Sequence, residues 1–111
     1  MASHPSFSIV APVYGVERYI ANCADSLLGQ TYDNIQFIFV NDGKKDASTA
    51  LLEKLIDEKY SFLKDRIVIV NKHNEGLPAA RRTGMEYVSG DYVLHVDSDD
   101  WVEKDMVAKI A

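Results

Sequence analysis

Four short runs of Val, Ile, Leu and aromatic residues constrain this chain more than any other feature in it. They are Phe7–Val13, Ile35–Val40, Ile67–Val70 and Tyr92–Val96. Each is near-continuously apolar instead of alternating, which predicts strands buried on both faces of a parallel sheet. The segments between them carry helical spacing. In Glu17–Gln30, Ile20, Cys23, Ala24, Leu27 and Leu28 fall on one stripe, and in Ser48–Tyr60, Leu52, Leu55 and Ile56 do the same. A third helix is expected from Pro78, since proline is tolerated in a first turn, to a stop before Gly90. Its inward stripe would be Ala80, Gly84, Tyr87 and Val88.

Strand and helix therefore alternate in the order βαβαβαβ, which predicts an α/β fold with a doubly wound, mostly parallel sheet. Residues 1–6 read as a tail and 7–111 as one domain. Val102–Ala111 reads as a helix beginning with no stop signal after it, so the sequence is expected to be cut from something longer.

The 12 basic and 17 acidic residues form no basic stripe, which argues against a nucleic-acid partner. The longest apolar runs are strand length and too short to span a membrane. With one cysteine, Cys23, no internal disulfide is possible, and a cytoplasmic compartment fits. Cys23 lies within an apolar helical stripe and reads as a small buried side chain, not a nucleophile. His4, His73 and His95 lack zinc-ligand spacing, and there is no Gly-rich dinucleotide fingerprint or P-loop.

In a doubly wound sheet, ligands sit outside the carboxyl ends of the strands. Each predicted strand ends there in a polar cluster. Pro12-Val13-Tyr14 with Glu17 follows the first, and Asn41-Asp42-Gly43-Lys44-Lys45-Asp46 the second. Asn74-Glu75-Gly76 with Arg81 and Arg82 follows the third, and Asp97-Ser98-Asp99-Asp100 the fourth. Three carboxylates within Asp97–Asp100 repel one another unless a cation or strong donors neutralise them. Hard oxygen ligands of this kind suit Mg²⁺ or Mn²⁺. Local chemistry offers other uses for some of these residues. Asp100 could cap the helix that follows, Asp46 could cap the second helix, and Asn-Asp-Gly is a turn signal that would occupy Asp42. Arg81 is either a solvated charge or a phosphate ligand early on its helix.

Taken together and in order, the motifs resemble the inverting glycosyltransferases of family 2, which have the Rossmann-like GT-A fold. The resemblance runs from Phe7 to about Met106. It is carried by Ser8-Ile9-Val10-Ala11-Pro12-Val13-Tyr14 with Glu17, and by Gln30-Thr31-Tyr32 followed by Phe39-Val40-Asn41-Asp42-Gly43. Asn74-Glu75-Gly76 with Ala80-Arg81 and Gly84, and the DXD-like Asp97-Ser98-Asp99-Asp100-Trp101, complete it. Lys44-Lys45-Asp46 stands where Ser-Thr-Asp is frequent in the family, and Arg82 where Asn is common.

The resemblance implies a site for a nucleotide-sugar, with UDP as the expected carrier. Pro12, Tyr14 and Asp42 would hold the nucleobase, Arg81 would lie near base and diphosphate, and Glu17 and Ser98 would complete the donor contacts. Asp97 would meet ribose or metal, and Asp99 would ligate a Mn or Mg divalent cation. A sugar would pass with inversion to a hydroxyl of a saccharide or lipid-linked acceptor, in glycan or polysaccharide synthesis at the inner face of the membrane. The carboxylate base lies downstream of the DXD motif in this family. This chain alone is therefore expected to bind donor without transferring sugar, and to self-associate through apolar surface meant for a second half. The competing expectation is a regulatory α/β module that binds a nucleotide or Mg²⁺ without chemistry.

Overall fold

The structure, a computed structural model, describes residues 5–13, 20–41, 48–71, 82, 84–96 and 102–110. Strands β1 (Phe7–Val13), β2 (Ile35–Asn41), β3 (Ile67–Asn71) and β4 (Tyr92–His95) form one parallel sheet in the order β3-β2-β1-β4. The helices are α1 (Ile20–Leu28), α2 (Ser48–Lys59) and α3 (Met106–Ile110). A 3-10 helix, Ser61–Arg66, links α2 to β3 and has no counterpart in the sequence reading.

The two faces of the sheet are covered by different parts of the chain. Phe7, Ile9, Ala11 and Val13 of β1 pack with Phe37 and Phe39 of β2 on one face. Cys23, Ala24 and Leu27 of α1, Leu52 and Ile56 of α2, and Val107 of α3 complete that cluster. Val10, Ile38 and Val40 face the other way, against Val68, Val70, Val88 and Val93. Helices α1 and α2 thus lie on one face and the 84–88 segment on the other, as a doubly wound sheet requires. Cys23 is fully buried within this core. No helix among the described residues is long and apolar enough to cross a membrane.

Continuous apolarity predicted four strands buried on both faces, but only the two central ones are. β1 is buried throughout, whereas β3 is half-buried and β4 has exposed ends. The reason is position: β3 and β4 are the outer strands, so fewer elements cover them.

The inward stripe of the third helix also needs correction. Arg82, Gly84 and Met85 are helical, while Pro78–Arg81 lie outside the described residues. Gly84 is buried, but Tyr87 is 44% exposed. The helix tightens here, with the Tyr87 N–H donating to the Gly84 carbonyl and Val88 to Met85. These are i→i+3 bonds, which end a helix and turn Tyr87 out of the stripe. Similarly, 102–105 precede α3 instead of belonging to it, and the helix begins at Met106.

Candidate functional site

All four strands run the same way, so their carboxyl ends, at Val13, Asn41, Asn71 and His95, share one edge of the sheet. The strand order reverses between β1 and β4, because β1 leads to β2 on one side while β4 lies on the other. That is the switch point at which doubly wound sheets bind ligands. The polar clusters follow these strand ends in sequence. Tyr14, Glu17, Asp42, Arg81, Asp97, Ser98 and Asp99 lie outside the described residues, as does Asp46.

Pro12 is the described member of the predicted set. It is fully buried on β1 opposite Val40. Proline inside a central strand should cost a ladder bond, and hydrogen-bond direction explains why it does not here. The Phe7 N–H donates to Asn34 on the β2 side, 3.0 Å away. The Val10 carbonyl accepts from Val96 on the β4 side at 3.0 Å. Parallel strands bond to their two neighbours by alternate residues. Pro12 therefore turns its nitrogen toward β4, but the β1–β4 register ends at Val10 opposite His95. The missing donor falls beyond that register. β1 runs on to Val13 beside β2, so Pro12 stands near the switch point.

Two polar networks, neither foreseen from sequence as supports, join distant segments of the chain. One lies under the 84–90 segment. Gln36 Nε2 donates to the Tyr87 carbonyl at 2.9 Å, while its Oε1 accepts from Ser8 Oγ at 2.7 Å and from the Ser89 N–H at 3.0 Å. Ser8 Oγ in turn accepts from the Gly90 N–H at 2.9 Å and is fully buried. The signal was present: Ser8 and Gln36 are the polar interruptions in otherwise apolar strands.

The other network joins α1 to the chain after the acidic cluster. Ser26 Oγ accepts from the Val102 N–H at 3.1 Å, and Thr31 N–H donates to the Lys104 carbonyl at 2.8 Å. Gln30 Nε2 donates to the Glu103 carbonyl at 2.7 Å and its Oε1 accepts from the Val107 N–H at 3.0 Å. Val107 lies in the first turn of α3, where helix N–H groups lack internal partners. Gln30 thus supplies part of the capping expected of Asp100, and α3 starts six residues beyond Asp100, at Met106.

Asp25 completes this network. Its Oδ1 accepts from Lys59 Nζ at 2.8 Å and from the Tyr60 hydroxyl at 2.5 Å, and Lys104 Nζ lies 3.3 Å from Oδ2. Hydrogen bonds from Lys59 and Tyr60, with the nearby Lys104, hold the Asp25 carboxyl down at about 2. Burial, then Asp25 itself, pushes the Tyr60 hydroxyl above its usual range. A lowered carboxyl stabilises the fold above its unfolded pKa, near 4, and loses that effect as pH falls toward 2. With 33% of the side chain exposed, solvent screening leaves about 1 kcal/mol of that effect. Asp25→Asn is accordingly expected to lower unfolding free energy by about 1 kcal/mol at pH 7, with the difference shrinking as pH falls from about 4 through about 2. Urea titrations of both proteins across that range test it; a gap as large at pH 2 as at pH 7 would contradict the assignment.

A cavity of about 420 Å³ opens between α1, the start of β2 and the 3-10 helix, lined by Tyr32, Ile35, Tyr60 and Arg66 among others. Ile35 begins β2, so this cavity lies at the amino end of the sheet, away from the switch point. Among the described residues no group of three or more His, Cys, Asp or Glu side chains could hold a metal ion.

Residues 8–111 match the family described as Glycosyl transferase family 2. Glycosyltransferase GlyA of Streptococcus pneumoniae serotype 4 is 45% identical over 100 residues, which cover 90% of this chain and 14% of that protein. Staphylococcus aureus TarS 1-349, solved in complex with UDP-GlcNAc, aligns with a TM-score of 0.81 at 26% identity. That alignment covers 95% of this chain and 30% of TarS 1-349. The mannosyltransferase PcManGT of Pyrobaculum calidifontis, solved with GDP-Man and Mn²⁺, shares the fold, with a TM-score of 0.83 at 19% identity over 95% of this chain and 31% of that one. The chain thus spans less than a third of the length of each of these proteins.

Proposed function

The chain belongs to glycosyl transferase family 2, and from that premise we propose that it forms the nucleotide-sugar site of an inverting, cation-dependent glycosyltransferase. The observation that carries the proposal is the topology. The four strands that lead into the polar clusters end on one edge, with Pro12 near the β1–β4 switch point. The likeness to TarS, a protein crystallised with UDP-GlcNAc, favours a UDP-sugar as donor.

The roles are those the family resemblance implies, and the chemistry of each residue suits them. Asp42 accepts an N–H of the nucleobase, with Pro12 and Tyr14 against the ring and Glu17 and Ser98 at the donor's periphery. Arg81 faces the diphosphate, where a planar guanidinium can make paired, charge-assisted bonds. Asp97 and Asp99 supply hard oxygen donors, a set whose chemistry fits Mg²⁺ or Mn²⁺. When bound, such a cation neutralises the negative charge gathering on the departing nucleoside diphosphate. The acceptor hydroxyl attacks the anomeric carbon from the face opposite the diphosphate, and the anomeric bond to the diphosphate breaks. The hydroxyl proton passes to a carboxylate that the family places beyond the DXD-like motif. Acceptors are saccharides or lipid-linked saccharides at the inner face of the membrane. The flank of β4, where Tyr92 is 57% and Ile110 55% exposed, is the surface through which the chain would self-associate.

Calorimetric titration of UDP-GlcNAc and GDP-mannose, with and without Mn²⁺, tests the proposal. Saturable binding that strengthens with Mn²⁺ is expected; heat changes absent for every nucleotide would sink it. Asp42→Ala separates the nucleobase from the cation. Losing a hydrogen bond to a charged group costs about 1.5–3 kcal/mol, so nucleotide affinity should fall roughly ten- to a hundredfold. Affinity for Mn²⁺ alone should not change, and a parallel loss of both would count against this division of labour.

A further inference from the structure

We infer that the outer edge of β3 is an interaction surface whose partner is a second copy of this chain, paired antiparallel about a twofold axis at Val70. The surface runs along the side of the sheet, at the opposite edge from β4.

The direction of the hydrogen bonds shows what this edge offers. The Phe7 N–H donates to the Asn34 carbonyl, and Phe7 stands opposite Ile35. Alternate residues of a parallel strand serve its two neighbours, so the even-numbered residues of β2 bond to β1 and the odd-numbered ones to β3. Phe37 stands opposite Ile67, which turns the even-numbered residues of β3 toward β2. The backbone groups of Ile67, Ile69 and Asn71 therefore point outward. The Ile67 N–H is already spent, donating to the Lys64 carbonyl at the end of the 3-10 helix. That leaves Ile69 and Asn71 each with an outward N–H and C=O, and no group among the described residues bonds to them.

These two residues are self-complementary. A twofold axis at Val70 sets Ile69 of one copy opposite Asn71 of the other, and each of the two pairs exchanges two N–H···O=C bonds. An axis at Ile69 would instead turn the Asn71 carbonyl toward the spent Ile67 N–H. Nothing in β3 guards against such pairing: Ile67–Asn71 holds no proline or charged residue, and its register with β2 runs without a bulge. Val68 and Val70, half-buried on one face of the sheet, gain cover from the partner's strand. On the other face, a hollow of about 370 Å³ has an apolar floor of Ile56, Ile67 and Ile69 and a rim of Glu53, Asp57 and Lys64. The rim carries both signs, with Lys64 bonded to Asp57 at 2.6 Å, so it does not repel its own copy as a single-sign rim would. An edge this short makes a small interface, so the dimer should dissociate in the micromolar range.

Sedimentation of the chain across micromolar concentrations should show a monomer–dimer equilibrium. Ile69→Pro deletes an outward N–H but no bond to β2, which is where an edge strand tolerates proline. It removes two of the intermolecular bonds, so dimerisation should weaken about tenfold or more while the circular dichroism stays that of the wild type. Val70→Cys tests the register itself. The two Val70 residues form a non-hydrogen-bonded pair with Cα atoms about 4.5 Å apart, close enough for a disulfide. In a glutathione redox buffer the Val70→Cys chain should cross-link to its copy, whereas Val68→Cys, two residues from the axis, should not. The native thiol of Cys23 is fully buried and does not compete. Tyr92→Asp, at the opposite edge, should leave the Val70→Cys cross-link unchanged. If Ile69→Pro does not fold, the two cysteine variants decide. A chain monomeric at every concentration would overturn the inference and leave the edge to a strand of another protein. A dimer that Ile69→Pro leaves at wild-type strength, or equal cross-linking of both cysteine variants, would put the contact elsewhere and overturn it too.

Discussion

Asp99→Asn should abolish the Mn²⁺-dependent part of nucleotide binding while leaving the fold unharmed. The substitution preserves shape and removes one negative charge from a cluster whose three carboxylates crowd residues 97–100. A divalent ion held by hard oxygen donors loses both a charged ligand and its geometry, so the effect should exceed that of an outer-sphere change, at about a hundredfold or more in Mn²⁺ affinity. Without the ion the sign reverses. Relief of like-charge repulsion should leave the variant as stable as wild type or slightly more so. Thermal melts in chelator, set beside UDP titrations with and without Mn²⁺, read both signs at once. Undiminished Mn²⁺-dependent UDP binding by the variant would remove Asp99 from the metal site.

The sequence was most legible where one local force dominates. Burial of apolar runs set β1 at Phe7–Val13 and the starts of the other strands at Ile35, Ile67 and Tyr92, all as read. Helical spacing likewise set α2 from Ser48, with Leu52 and Ile56 buried and Glu53, Lys54, Asp57 and Glu58 exposed. What escaped depends on partners far away in the chain. Tyr87 leaves the inward stripe because the helix tightens over Gly84–Val88 and its carbonyl is taken by Gln36. The start of α3 shifts to Met106, where Gln30 accepts the N–H of Val107, 77 positions later in the chain. A polar residue's partner is not written in its neighbours, although a polar interruption such as Ser8 or Gln36 marks that one exists.

The site shows the same division. Its location follows from strand order; alternation of strand and helix predicts the parallel sheet, and the order β3-β2-β1-β4 comes from the structure. Pro12 illustrates what sequence leaves out. Its presence in a central strand reads as an anomaly until the register shows β1 outrunning β4. The roles of Tyr14, Glu17, Asp42, Arg81, Asp97, Ser98 and Asp99 rest on side-chain chemistry and family, and the Asp42 and Asp99 variants test two of them.

Gly84→Ala is expected to destabilise the fold by overpacking. A Cβ at Gly84 would overlap Val10 Cγ1 and come within 3.3 Å of Val40 Cγ2. Both valines are fully buried on the central strands, and branching at Cβ leaves them little rotamer freedom to yield. The helical segment would have to lift from the sheet instead. Overpacking of this kind costs roughly 1–3 kcal/mol, and loss of the Gln36 and Ser8 bonds to Tyr87, Ser89 and Gly90 would push it to the upper end. The opposing term is the gain in helix propensity, about 1 kcal/mol for alanine over glycine, which is too small to compensate. Chemical denaturation should therefore show a net loss of about 2 kcal/mol. Because Arg81 lies three residues upstream, UDP affinity should drop as well, even at temperatures where the variant is fully folded. The double variant with Val10→Ala supplies the decisive comparison. Alone, Val10→Ala opens a cavity and destabilises, but beside Gly84→Ala it makes room for the new methyl. The two costs should then sum to more than the measured loss, with a coupling of about 1 kcal/mol or more. Additive losses would mean that the helix does not press on Val10, and that Gly84 is needed for some other reason.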